Sequence, residues 1–418
     1  MNRTEWRILI LLVISVFVNY IDRGNLSIAA PLLRPEMGLD PQQMGFLLGG
    51  FFWTYALMQL FGIAGWLADR FDVGIVLAAG YLAWSAATAA TGLIQGFTAL
   101  FIMRLILGAG ESLAYPCYSL ILARYFPEQS RGTANALIDA GSKIGPGLGT
   151  LLGGYFIASY GWRPLFVILG LGALVWLIPW MAWRPRADSL TAEGLLAKNS
   201  GPVPTVLDIL SKRSAWGTFF GLFCINYYWY FLVTWLPLYL VDERKFSVEK
   251  MAQIGALSFF AIAAATIAAG FLSDRLIREG RSVTLVRKGF AVFGLLASTI
   301  ILPVASIEDH TTAIALLIAA CMGFGVLTSN HWAITQTLAG PRAAGRWTSL
   351  QNGVGNLAGI AAPWITGVIV KSTGSFQIAF ATSAAVALLG AIIYAFVVGR
   401  VEQVAFAAGK PAAALSGD

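Results

Sequence analysis

The chain alternates long apolar runs with short polar breaks. About a dozen of these runs reach about 20 residues, the length a helix needs to cross the hydrocarbon core of a bilayer. They predict spans at 8–33, 43–67, 73–95, 97–124, 132–159, 164–183, 215–240, 251–273, 284–305, 312–338, 346–370 and 376–399. The longest polar stretch, "RPRADSLTAEGLLAKNSGPVPTVLDILSKRS" (Arg184–Ser214), falls after the sixth run. The pattern predicts an N-terminal six-helix bundle over 1–183, a linker over 184–214, a second six-helix bundle over 215–400 and a tail over 401–418. In lipid a helix satisfies its own backbone polar groups, so runs of this length read as helices. The expected fold class is an all-α polytopic membrane protein of twelve transmembrane helices in two pseudo-symmetric bundles.

Composition agrees. The chain is 57% hydrophobic and 12% charged, about half the charged fraction of a soluble domain. A net charge of +7 could suggest nucleic acid, but its distribution does not. Of the loop cations, only Arg34, Arg163, Arg244, Lys245, Lys250 and Lys371 fall on one side. The rest lie on the side of the termini and linker, which the positive-inside rule places in the cytoplasm. Cys117, Cys224 and Cys321 all lie within apolar runs and read as packing thiols. The N-terminus has no small-residue cleavage site before Asp22, so it reads as a first span rather than a removable signal. No metal-ligand spacing and no nucleophile triad is present, so neither an enzyme nor a cofactor is expected.

The informative residues are the charges left at membrane depth. They are Asp22, Arg23, Arg104, Glu111, Asp139 and Lys143, all in the first half. Each costs about 2.5–3.5 kcal/mol at a helix centre on insertion scales, so such groups face a bundle interior or a wet cavity. Arg104 and Glu111 in "RLILGAGESLAYP" are seven apart and share a helix face. Asp139 and Lys143 are four apart and can pair. Asp22 and Arg23 are adjacent, so they diverge by about 100° and must look to different neighbours. Pro116 frees the carbonyl of Ser112 and predicts a kink there. Three acids and three bases balance. An anion adds one negative charge, which one proton on a carboxylate cancels. A carboxylate whose arginine partner is captured by an anion takes up a proton more readily, so anion–proton symport has a physical mechanism.

"GWLADR" (Gly65–Arg70) closes the second span and "GFLSDR" (Gly270–Arg275) closes the eighth. The repeat of the motif at one place in each half indicates paired bundles around a midplane site. With "NYIDRGNLSIAAP" and "RLILGAGESLAYP", these motifs resemble the major facilitator superfamily, and within it the anion:cation symporter family. That family includes bacterial galactonate, glucarate and hexuronate permeases and is related to sialin and the vesicular glutamate transporters. The resemblance implies secondary active, proton-coupled transport of an organic carboxylate such as an aldonate, aldarate or hexuronate. An anion exchanger or exporter of the same fold, or an aromatic carboxylate importer, stays open beside it. The expected partners are a small organic anion, protons and the lipid of a bacterial inner membrane, with the proton as coupling ion and a monomer as the functional unit.

The resemblance also implies roles. Asp22 and Glu111 couple protons. Arg23, Arg104, Tyr20, Tyr55, Trp332 and Asn352 serve the substrate. Asp69, Arg70, Asp274 and Arg275 belong to the loop motifs that gate or brace the bundles. Two departures stand out. The basic cluster that usually follows the first Asp-Arg is absent from "ADRFDVGIV". The fifth span carries Asp139 and Lys143 where the sugar-acid permeases have a polar amide near Ser142, so Lys143 is a further candidate substrate ligand and Asp139 its structural partner. The aromatic run "NYYWYFLVTW" (Asn226–Trp235) predicts cavity-facing rings, Tyr227 or Tyr228 among them. His331 reads as a packing residue. The glycines of "GSKIGPGLGTLLGG" read as a close-packing face.

Overall fold

The computed structural model describes residues 3–126, 128–185 and 204–406. The described residues form helices and no strand. The first span is Arg3–Glu36. The second is Pro41–Leu60, continued as Ile63–Arg70 after a left-handed Gly62. The third is Val73–Thr91, and the fourth is Phe97–Ser112 with Ala114–Tyr125. The fifth is Glu128–Tyr160, and the sixth is Trp162–Leu174 with Leu177–Trp183. After the short helix Val206–Leu210 come the seventh (Arg213–Leu238), the eighth (Val248–Arg278) and the ninth (Val283–Ser298). The tenth and eleventh run on from His310 to Asn356, parted by the left-handed Gly340 (φ 62°, ψ 174°). Ala358–Thr373 completes the eleventh, and Gln377–Ile392 is the twelfth.

Ten of the helices are long and apolar enough to cross a membrane, judged among the described residues. The two rods outside that ten are the second, interrupted at Phe61–Gly62, and the fifth, which starts on "EQSRGTAN". Both pack against neighbours that qualify. The fourth span is interrupted at Leu113, one residue beyond Ser112, whose carbonyl loses its partner to Pro116. All three cysteines are buried and unbridged.

Small residues set how closely the rods approach. On the fifth span, a Cβ on Gly141, Gly145 or Gly149 would meet Val16, Tyr20 or Ile21 of the first, at 2.8, 3.0 and 3.3 Å. On its other face, a Cβ on Gly147 or Gly154 would lie 2.5 Å from Phe260 or 2.3 Å from Ala252 of the eighth. The glycine stripe therefore joins the first half to the second as well as packing within the first. The second and eleventh spans meet in the same way, with Gly45 against the Pro363 carbonyl and Gly367 against that of Pro41.

At the end away from the termini, polar clasps add to this closure. Arg34 pairs with Asp242. Lys371 Nζ donates to Asp40 and to Gln42, each at 3.0 Å. At the terminus-bearing end, Asp72 caps the third span by accepting from the Ile75 N–H at 3.0 Å and pairs with Arg184 at 2.8 Å. Partial burial pushes its carboxyl up, but the Ile75 N–H and Arg184 outweigh that and hold it below the usual aspartate range. In the second half, Asp274 accepts from Arg287 at 2.7 Å, and Arg287 also reaches Ser273 and Asn330. Arg275 instead pairs with Glu279 on its own exposed turn, and Arg70 is exposed. The two Asp-Arg motifs thus sit at matching places, and it is the aspartate of the second that braces its bundle. The side chain of Asp69 lies outside the described residues.

Candidate functional site

A cavity of about 1220 Å³ runs between the two halves. Leu48, Thr150, Thr234 and Pro237 line its far end and are buried. Ser119, Gln336 and Ser349 line the other end and are exposed. The cavity is therefore closed under the Arg34–Asp242 and Lys371–Asp40 clasps and opens on the terminus-bearing side.

Four of the six charges predicted at depth come together on one wall. Arg23 and Arg104 face the cavity; Asp22 and Glu111 stand behind it, 2% and 0% exposed. Arg23 Nε donates to Glu111 Oε2 at 2.8 Å. Its guanidinium lies over the rings of Tyr20, Tyr55 and Phe51, at 4.6, 4.8 and 5.2 Å. Arg104 shares the Phe51 ring at 5.5 Å and makes no ion pair among the described residues. Two N–H donors stay without a hydrogen-bond partner there, Arg23 Nη2 and Arg104 Nε. Aromatic faces hold a guanidinium in place without using its N–H groups. Both atoms are buried, while the two guanidinium groups as a whole line the cavity.

Asp22 turns the other way, as its adjacency to Arg23 requires. Its Oδ1 accepts from Asn25 Nδ2 at 3.0 Å, and Thr88 and Tyr81 of the third span lie beside it. The neutral wall belongs to the second half. Asn226, Trp229, Tyr230, Trp332, Asn352 and Asn356 line it. Asn352 Nδ2 bonds across the halves to Gln59 Oε1 at 3.4 Å, and Tyr230 donates to Asn356 Oδ1 at 2.6 Å. Tyr20 and Tyr115 share a 3.2 Å hydroxyl contact on the opposite wall.

Most of the residues chosen from sequence fall where expected. Tyr20, Arg23, Tyr55, Arg104, Trp332 and Asn352 line the cavity, and Asp22 and Glu111 lie immediately behind. The side chains of Asp139 and Lys143 lie outside the described residues; their neighbour Ser142 is in the wall. His331 is also in the wall, buried, with its ring 4.7 Å from that of Trp332. The choice of Tyr227 or Tyr228 was wrong. The inward face of the seventh span carries 226, 229, 230, 233, 234 and 237, the three-and-four spacing of one helix side. Tyr228 instead donates to the Ser298 carbonyl and stacks on Phe324. Asn356, Asn226 and Tyr115 were missed. The four-residue spacing of Asn352 and Asn356 could have disclosed the first of these.

A family model described as Major Facilitator Superfamily matches residues 12–363. The chain is 32% identical to the "Probable galactarate/D-glucarate transporter GarP" of Escherichia coli (strain K12), covering 96% of each chain. It is 29% identical to the "Probable galactarate/D-glucarate transporter GudP" of Bacillus subtilis (strain 168), covering 96% of this chain and 93% of that one. Its fold matches a solved bacterial homologue of the human lysosomal transporter Spinster with a TM-score of 0.78 at 20% identity, over 94% and 97% of the two chains.

Proposed function

The chain belongs to the major facilitator superfamily, which makes it a multi-pass membrane transporter and not an enzyme, and from that premise we propose that it carries a sugar-acid anion together with a proton by alternating access. The observation that carries this reading is the layered wall, in which two arginines line the cavity and two buried carboxylates back them. A substrate carboxylate bridges Arg23 and Arg104. Its hydroxyls meet the amides of Asn226, Asn352 and Asn356 across the cavity. Hydroxyl recognition by fixed amides is the kind of contact that rejects analogues lacking the hydroxyl.

Glu111 and the anion compete for Arg23. A proton on Glu111 releases the guanidinium, and an anion on the guanidinium leaves Glu111 ready for a proton. Asp22 is the second carrier of the proton. The relatives named for galactarate and D-glucarate support a sugar acid, and the cation bias of the loops supports cytoplasmic termini in a bacterial inner membrane. Thermal shift of the purified protein against aldarates, aldonates, hexuronates and aromatic carboxylates tests the substrate class. Sugar acids are expected to raise the melting temperature, with deoxy analogues much weaker. Stabilisation by aromatic acids alone would refute it.

Alternating access requires the far-end clasps to open. Arg34→Ala and Lys371→Ala each remove a partly exposed pair and are expected to shift the population toward the far-end-open state by about two- to five-fold. Faster maleimide labelling of a cysteine introduced at Leu48 checks this.

A further inference from the structure

One face of the first span carries small polar side chains that the anion cavity does not touch. Ser15, Asn19, Asp22 and Asn25 follow one another at four-, three- and three-residue steps, along one side of the helix. All are 2% exposed or less, and none is in the cavity wall. Ser15 Oγ lies 2.6 Å from the Tyr118 hydroxyl of the fourth span. Asn19 lies beside Glu111, and Asp22 beside Thr88 and Tyr81. The facing side of the third span, Tyr81, Trp84, Ser85 and Thr88, is equally buried.

This seam holds an unusual concentration of polar atoms without a hydrogen-bond partner. They are Asn19 Oδ1, Asn25 Oδ1, the hydroxyls of Tyr81 and Ser85, and Trp84 Nε1, while Asn19 reaches toward Glu111 and Thr88 toward Asp22. Native proteins leave few such groups. The set mixes an obligate donor (Trp84 Nε1) with obligate acceptors (Asn19 Oδ1, Asn25 Oδ1). A bound cation would repel the N–H donor, whereas water serves both kinds at once. Beyond Asn25 toward the far end the same side of the helix is apolar, through Leu26, Ala29, Ala30 and Leu33, while Ser27 lies on another side and lines the cavity. In the other direction the row ends at Tyr118, which does line the cavity toward its open end.

We propose that this seam is a proton-release path, running from Asp22 through water held at Asn19 to Ser15, Tyr118 and the open end, apart from the anion's own route. It rests on the symport reading above. A proton leaves the Asp22 carboxyl for a water oxygen, which passes on one of its own. The hydroxyls of Ser15 and Tyr118 each accept one proton and give one up. The net result is one proton delivered to the cavity mouth and a carboxylate left at Asp22. The charged groups facing Asp22 are Glu111 and Arg104, with Arg23 holding Glu111. The apolar side formed by Leu26, Ala29, Ala30 and Leu33 keeps the proton from leaking to the far side.

Ser15→Ala tests the path in proteoliposomes containing a pH-sensitive dye, with D-glucarate as the probe anion. Counterflow at equal pH is expected to match the unsubstituted protein. Proton release with uptake is expected to slow several-fold and to show a larger solvent deuterium effect, with Tyr118→Phe behaving alike and Ser15→Thr recovering the rate. If the unsubstituted protein moves protons with the anion and Ser15→Ala releases them as fast, the path is overturned while symport stands. If the unsubstituted protein moves no protons with the anion, symport and path fall together.

Discussion

Arg104→Ala is expected to weaken saturable anion binding by about 30-fold or more while the protein still folds. Arg104 is 5% exposed, lies on the cavity wall and spends none of its charge on an ion pair among the described residues. Removing it breaks no hydrogen-bonded pair but takes away a positive charge that buried Asp22 and Glu111 face, so the melting temperature of the anion-free protein is expected to fall modestly while folding persists. Binding is another matter. Truncating one partner of a buried, hydrogen-bonded charge pair costs about 2–5 kcal/mol, which is about 30-fold or more in Kd. Lysine at the same position recovers only part of this, since an ammonium cannot reproduce the planar donor fork that reaches past Phe51. Calorimetric titration with D-glucarate checks both variants. An unchanged Kd in Arg104→Ala would remove the arginine from the site.

Glu111→Gln separates binding from coupling. The glutamine keeps the shape and an acceptor for Arg23 Nε but loses the charge that holds the guanidinium. The sign follows from competition for Arg23. In the unsubstituted protein anion binding is expected to strengthen as pH falls, because protonation of Glu111 would release Arg23. In Glu111→Gln that release is permanent, so the anion is expected to bind at least as tightly and with a flatter pH profile. Concentrative uptake should be lost, because the return of the empty carrier no longer sheds a proton. Asp22→Asn should also lose concentrative uptake but keep the pH dependence of binding, since Asp22 faces Thr88 and Tyr81 rather than Arg23. Binding across a pH series, alongside uptake, distinguishes the two variants.

The spans were legible because lipid imposes a length and an apolarity that few other structures share. The charges at depth were legible because each is expensive where it stands. The divergence of Asp22 and Arg23 followed from helix geometry alone. What the sequence hid was the partner of each charge. Arg23 with Glu111 brings together residues from the first and fourth spans, and no local spacing encodes that. The inward side of the seventh span was misjudged for a related reason. A helix that is apolar all round carries no amphipathic signal to fix its rotation, so Tyr228 looked as good a wall residue as Tyr230. The polar row of Ser15, Asn19 and Asn25 was present in the sequence with helical spacing. Uncharged groups cost less to bury than full charges and so stand out less along the chain, although a buried amide also needs partners.

The central claim is that anion and proton move together, and one measurement addresses it most directly. Purified protein in proteoliposomes is given D-glucarate at equal concentration on both sides and an imposed pH gradient, acidic outside. With the membrane potential clamped, accumulation inside is expected at about tenfold per pH unit for each proton carried with an anion, collapsing when a protonophore is added. Equal concentrations that persist across the gradient, while counterflow of labelled D-glucarate proceeds, would contradict it.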